Sequence, residues 1–190
     1  MSQDPRSRKR ADTNRRIYLT AMRLFQERGF EEVSVGEIAA AAGVSVPTFY
    51  AHFPSKEHIV LPMPTAEEIQ ALLTGQPVHL PVAERVRGAI LTFFSLLQGA
   101  ERAEVLERWQ IVVTTPHLRN RAAEFERATA SLVLDALPTE VKKQSATDPD
   151  LVVTLSLSAY TQILMRWAEA GGSRELEDVA EEVLAVLRRL

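Results

Sequence analysis

Residues 34–56 read SVGEIAAAAGVSVPTFYAHFPSK, and this stretch decides how the rest of the chain is read. It holds two short helical segments that meet at a tight corner. Ser34 followed three residues later by Glu37 is a capping box, in which the serine oxygen accepts an amide of the first turn and the carboxylate reaches back to the cap amide. The alanine run at 39–42 stops at Gly43, a residue that takes the left-handed conformation helix C-termini commonly need. Ser45 opens the second helix, with Pro47 in its first turn, where a missing amide proton leaves no intrahelical bond unmade. Val46, Phe49 and Phe53 recur at i, i+3 and i+7 as an inward stripe, which leaves Thr48, Ala51 and parts of Tyr50 and His52 outside. Two helices of this size, joined by a few residues containing glycine, have the form of a helix-turn-helix whose second helix lies in a DNA major groove.

Upstream, Ile17, Ala21, Leu24, Phe25 and Arg28 recur at helical spacing from Thr13 until Gly29 stops the run. This support helix has the apolar face to cover a corner made by Ile38, Val44 and Phe53. Before it, the first sixteen residues hold six basic side chains against two acidic ones, an arm suited to phosphate attraction. The plainer reading of its first ten residues is a solvated, disordered terminus. Downstream, Ser55 reads as the cap of a further helix, with Lys56 and Glu57 in its first turn. A lysine there opposes the helix macrodipole, a poor choice for stability and a sensible one beside a DNA phosphate.

The segment 13–56 resembles the DNA-binding domain of the TetR family of one-component bacterial transcriptional regulators, on LFQERGF, then SVGEIAAAAGVS, then FYAHFPSKE. The resemblance implies a homodimer with a helical ligand-binding domain after the helix-turn-helix. It implies that Tyr50 and His52 face phosphates, that Lys56 contacts the backbone, and that Val46 and Pro47 sit near the groove floor. With Ser34, Ser45, Thr48 and Ala51 these make the candidate DNA-binding set. Thr48 can bond a base edge or offer its methyl to thymine, and Ala51 offers only a methyl. Neither Val46 nor Pro47 can make a bidentate base contact, so a sequence code leans on apolar contacts, on the arm or on DNA shape.

The chain departs from the family after Leu61, where relatives usually continue the fourth helix as a long lever. Pro62 and Pro64 bracket Met63, so that helix should end or kink near Leu61, as a hinge or as a fixed bend. Thr65 with Glu68 is another capping box, predicting a helix over 66–73 and a loop over 74–81. The domain boundaries expected from this are a flexible basic arm at 1–12, a DNA-binding domain at 13–61, and an effector-binding and dimerisation domain at 62–190.

From Val82 onward the pattern is helical. Val86, Ile90, Phe93, Phe94 and Leu97 mark a helix that Gly99 is expected to end, and Val105, Leu106, Trp109, Val112 and Val113 mark the next. Thr115 with Pro116 opens another, 138–147 reads as a loop, and Asp148 with Pro149 opens a helix to about Ala170. Gly171 and Gly172 break it, and Ser173 is expected to start the last helix. The helix after Pro149 is apolar over most of its circumference, and the last is striped by Leu176, Val179, Val183, Val186, Leu187 and Leu190. The two together predict a four-helix bundle with a symmetry-related copy, which would place two recognition helices on a near-palindromic site. Phe93, Phe94, Trp109, Thr114, His117, Tyr160, Gln162, Met165 and Trp167 are the candidates for an effector site between these helices, although aromatics at helical spacing also serve simply as core.

The net charge of −3 divides into +2 over residues 1–60 and −5 over residues 61–190, so the basic side chains gather where DNA binding is expected. With no cysteine, disulfides and thiolate metal sites are excluded. No apolar run approaches the roughly 20 residues needed to span a bilayer. The basic start lacks the apolar core of a signal peptide, and a cytoplasmic protein without membrane attachment is expected. The histidines at 52, 58, 79 and 117 show no HExxH spacing, and no nucleophile elbow or phosphate-cradling glycine loop is present. Glu101, Glu104 and Glu107, beside Arg102 and Arg108, read as a solvated helix face. No catalytic residue, cofactor or metal is expected. The expected protein is an all-α, homodimeric, sequence-specific transcriptional regulator, a repressor relieved by a small apolar or amphipathic effector. The alternative is a helical protein–protein adaptor, which would make the basic arm and Lys56 incidental.

Overall fold

The computed structural model describes residues 5–143 and 145–187, and no strand occurs among them. The chain divides into two compact units, Met1–Pro62 and Met63–Leu190.

The first unit contains α1 (Pro5–Arg28), α2 (Val35–Ala41), α3 (Val46–His52) and the single turn α4 (Glu57–Val60). Its core is built by Ile17, Phe25, Phe30, Val33, Ile38, Phe49 and Ile59, all nearly inaccessible to solvent. The rings of Phe25 and Phe30 meet at 4.9 Å between centroids. The corner between α2 and α3 is a Schellman motif: Val44 N donates to Ala39 O at 2.9 Å and Gly43 N to Ala40 O at 3.1 Å. Gly43 sits at φ +65°, where a Cβ would be strained.

Three local expectations are corrected here. Helix α1 starts at Pro5, so residues 5–12 form two helical turns where a flexible arm was expected; residues 1–4 lie outside the described residues. The cause is compositional, since a proline in first position and a run of arginine, lysine and alanine all favour helix. Arg10 and Arg16 then fasten α1 to the ends of other helices, Arg10 Nη2 donating to Ala51 O at 3.3 Å and Arg16 Nε to Ala42 O at 2.9 Å. Val46 is 40% exposed, so the inward stripe of α3 reduces to Phe49, with Phe53 just past its end. As the first residue of the helix, Val46 stands beyond the reach of the core. Ser55 does not cap α4, because its hydroxyl bonds His58 Nδ1 at 2.9 Å and α4 follows Lys56 with no side-chain cap.

Helix α4 stops at Val60, as the two prolines require, and Leu61 leaves helical geometry at φ −120°, ψ 71°.

The second unit contains α5 (Ala66–Thr74), α6 (Val82–Leu96), α7 (Gly99–Thr114), α8 (Pro116–Ala136), α9 (Thr139–Lys143), α10 (Pro149–Glu169) and α11 (Leu176–Leu187). Thr65 and Glu68 form the expected capping box at the head of α5. Helix α10 is the central element and packs against α6, α7, α8 and α11 through Val153, Leu157, Ile163, Leu164 and Trp167. A second Schellman motif ends it, Gly171 N bonding Ala168 O at 2.9 Å and Gly172 N bonding Trp167 O at 3.1 Å.

Three boundaries move in this unit. Gly99, at φ +50°, opens α7 and does not close α6. The short helix α9 lies inside the expected loop at 138–147. Ser173 serves the end of α10, its hydroxyl donating to Ala170 O at 2.7 Å, and the last helix begins only at Leu176. Leu190 of the expected stripe lies outside the described residues.

The segment between α5 and α6 is held by a buried cation. Arg85 is 3% exposed, and its guanidinium donates to the carbonyls of Leu73 at 3.2 Å, Pro77 at 3.0 Å and Val78 at 2.8 Å. Carbonyl dipoles at the end of α5 supply part of the solvation that water otherwise gives such a charge.

Candidate nucleic-acid interface

Helix α3 presents its outer face to solvent because Phe49 and Phe53 anchor the other. Phe49 is fully buried, its ring 5.9 Å from that of Phe53 and edge-on to Tyr50 at 5.5 Å. Ser45, Val46, Pro47, Tyr50 and Ala51 are exposed, Tyr50 at 52%, while Thr48 and His52 are half-buried. The outer face therefore combines a methyl-bearing apolar strip with one phenol and one imidazole.

Ser34 and Ser45 are committed to their helices. Ser34 Oγ accepts Glu37 N at 3.2 Å and donates to Glu37 Oε2 at 2.7 Å, and Ser34 N donates to the same Oε2 at 2.9 Å, which completes the capping box. That bonding, with the Arg28 guanidinium at 2.8 Å as a lesser cause, holds the Glu37 carboxyl down at about 2. Ser45 Oγ accepts Thr48 N at 3.2 Å and shares a hydrogen bond with Thr48 Oγ1 at 2.8 Å. One hydroxyl hydrogen of that pair closes the mutual bond. The other is left to donate outward.

His52 is held below its ordinary pKa, first by desolvation and then by the charge of Arg10. A neutral imidazole at neutral pH donates a single N–H, which suits a phosphate oxygen. Lys56 is more constrained than the sequence suggested. Its Nζ donates to Phe30 O at 2.9 Å and Val33 O at 3.2 Å and lies 4.4 Å from the Phe30 ring centroid. Two of three ammonium hydrogens thus tie α4 to the α1–α2 connection, and the third remains for an outside acceptor.

In the second unit, the structure brings together only part of the expected effector set. Tyr160 of α10 stacks on Phe94 of α6 at 5.6 Å and 9°, with Phe93 at 6.1 Å. Burial pushes the Tyr160 phenol up to about 12, a rise that the positive charge of Arg108 partly offsets. Trp109 and Met165 are buried and half-buried on α7 and α10. Trp167 is core, its Nε1 donating to Arg174 O at 3.1 Å under the Arg102 guanidinium. Thr114, His117 and Gln162 are exposed, so they do not join the aromatic cluster. Arg108 was missed: its Nε is buried without a hydrogen-bond partner among the described residues. Glutamate and arginine alternating along α7 made it look like a solvated side chain, and only packing shows otherwise.

No cluster of three or more potential metal-ligating side chains occurs among the described residues, and no described helix is long and apolar enough to cross a membrane.

Comparison with known proteins matches two successive segments of the chain. The family model described as "Bacterial regulatory proteins, tetR family" matches residues 17–63, and the MftR C-terminal domain matches residues 80–190. The chain is 27% identical to the HTH-type transcriptional regulator EthR of Mycolicibacterium smegmatis, over 98% of this chain and 89% of that one. Among solved structures it resembles NalD, the secondary repressor of the MexAB-OprM multidrug efflux pump in Pseudomonas aeruginosa. The TM-score is 0.61 at 20% identity, over 94% and 95% of the two chains, a likeness of fold. It also resembles Thermus thermophilus FadR, a transcriptional repressor in complex with lauroyl-CoA, with TM-score 0.53 and 26% identity over 92% of each chain. With both units matched in order along the chain, and a helix-turn-helix in the first, the protein belongs to the TetR family of bacterial transcriptional regulators.

Proposed function

We propose that the chain is a homodimeric repressor that reads a near-palindromic operator through α3 and is released by a small apolar or amphipathic effector. The observation that carries the DNA reading is the outward face of α3, rigidly backed by the buried Phe49 and capped by Ser45. Tyr50, His52 and Lys56 fix register on phosphates, while Val46, Pro47, Thr48 and Ala51 meet base edges and thymine methyls. Dimerisation through α10 and α11 is supported by Leu151, Leu155 and Val186, which are 52%, 45% and 57% exposed in the single chain. Domain roles follow at 13–61 and 62–190, with the first two turns of α1 added to the DNA-binding side.

Phe93, Phe94 and Tyr160, beside Arg108, are the strongest effector candidates, since an aromatic wall with one cation suits an amphipathic molecule. The effector favours a conformer of the dimer whose recognition helices do not match the operator, and only its differential affinity can shift that equilibrium. Operator affinity measured with and without saturating lauroyl-CoA, a probe chosen because T. thermophilus FadR binds it, tests the release step. A drop of tenfold or more is expected. Equal affinity rejects release by this class of effector.

A further inference from the structure

We infer that the first two turns of α1 are a rigid phosphate-binding rail, in which Arg6 and Lys9 contact the backbone of duplex DNA flanking the groove entered by α3. Arg6, Lys9, Arg10, Thr13 and Arg16 follow one another at i, i+3, i+4, i+7 and i+10, so they share one face of the helix. Two members of that face are fixed by bonds to the helix-turn-helix. Arg16 binds the last turn of α2 through Ala42 O, and Arg10 binds the last turn of α3 through Ala51 O. The face bearing Arg6 and Lys9 is therefore turned to the DNA-reading side. It is tied to the recognition helix by a side chain of its own.

The charge pattern argues for an anion on this face. The first turn of α1 contains no acidic residue, and Arg6, Arg8, Lys9 and Arg10 all stand at its positive end. Cations there oppose the macrodipole, and Arg6 with Arg10 at i, i+4 is a like-charge pair that weakens a helix. Both effects reverse when phosphates line the face. Arg6 and Lys9 are exposed, as a partner of this size needs. Arg8 lies about 200° around the helix from Arg6, on the opposite side, and gives an internal control.

The rail rests on DNA binding through α3, and the test separates the two. The full-length protein, Arg6→Gln/Lys9→Gln and Arg8→Gln are titrated with an operator duplex recovered by genomic selection, between 50 and 200 mM salt. Each neutralised phosphate contributes about 0.9 to the slope of log K against log salt, so removing two contacts from each protomer flattens it by roughly 3.6. Over that salt range the wild type then loses ~150-fold more affinity than the double variant. Arg8→Gln is expected to leave the slope unchanged. Glutamine is a good helix former, so the melting temperature should hold or rise. A double-variant slope equal to the wild type overturns the rail. So does an equal effect per charge from Arg8→Gln, which is the behaviour of a flexible arm. Failure of the wild type itself to bind any duplex overturns the α3 reading and the rail with it.

Discussion

The ammonium of Lys56 donates to the carbonyl of Phe30 at 2.9 Å while lying 4.4 Å from the centroid of that residue's own ring. A single side chain thus seals the α1–α2 connection against α4, and the same cation stands next to the DNA-reading helix. Under the proposed function, charge that looks wasteful at a helix start serves twice.

Lys56→Ala should therefore do two separable things. It should lower the stability of the first unit by about 1.5–3 kcal/mol, the usual cost of losing charged hydrogen bonds. It should also reduce the salt slope of DNA binding by about 1 per protomer. Thermal unfolding reads the first effect and salt titration of a stable operator complex reads the second. A variant that melts like the wild type contradicts the bonding to Phe30 and Val33.

Glu37 makes the corner sensitive to acid. Its carboxyl falls from an ordinary 4.5 to about 2 because the Ser34 amide and hydroxyl, then Arg28, favour the charged form. A depressed carboxyl contributes stability that is fully present above pH 4.5 and is lost as pH falls toward 2. Glu37→Gln should flatten the pH dependence of unfolding in that window and leave the higher range nearly unchanged. Identical acid profiles for the two proteins would count against the capping box.

Tyr50 and Thr48 should separate affinity from selectivity. Tyr50→Phe removes one donor to phosphate, so it should weaken binding to every duplex by a similar factor, of order 5–10. Thr48→Ala should instead change the ranking among operator variants, at about 1 kcal/mol for the base pair concerned. Affinities for a panel of single-base operator variants distinguish the two patterns, and a reversal of roles would reassign the face of α3.

Leu151 and Leu155 are exposed one helical turn apart on the helix that forms the centre of the second unit. Leu151→Glu/Leu155→Glu should convert a dimer to a monomer in sedimentation analysis without lowering helix content. A wild type that sediments as a monomer removes α10 from the interface.

Much of this was legible in the sequence, for a local reason. Caps, glycine stops and prolines act within a few residues, so Ser34 with Glu37, Gly43, Thr65 with Glu68, and Pro62 with Pro64 announced their structures directly. What stayed hidden depended on distant partners. Arg10 and Arg16 organise α1 through bonds to residues 41 and 26 positions away, which no window of sequence contains. Arg108 read as surface charge because the burial of its Nε depends on how α7 packs against its neighbours, and the burial of Arg85 depends likewise on carbonyls outside its own helix. Val46 misled in the opposite sense, since an apolar residue at the right spacing was exposed by its position at the very start of α3.

The most direct test concerns the exposed face of α3. Val46→Asp places a carboxylate at the first position of the helix, where it favours the fold through the macrodipole, and where an anion would meet the DNA. Competitive binding of wild type and variant to the operator against random duplex at physiological salt decides the matter. The wild type should bind its operator with Kd of about 10⁻⁸ M or tighter, and Val46→Asp, equally folded, should retain no preference over random duplex. Equal operator affinity of the two proteins, or a wild type that does not discriminate operator from random duplex, contradicts the insertion of α3 into the groove.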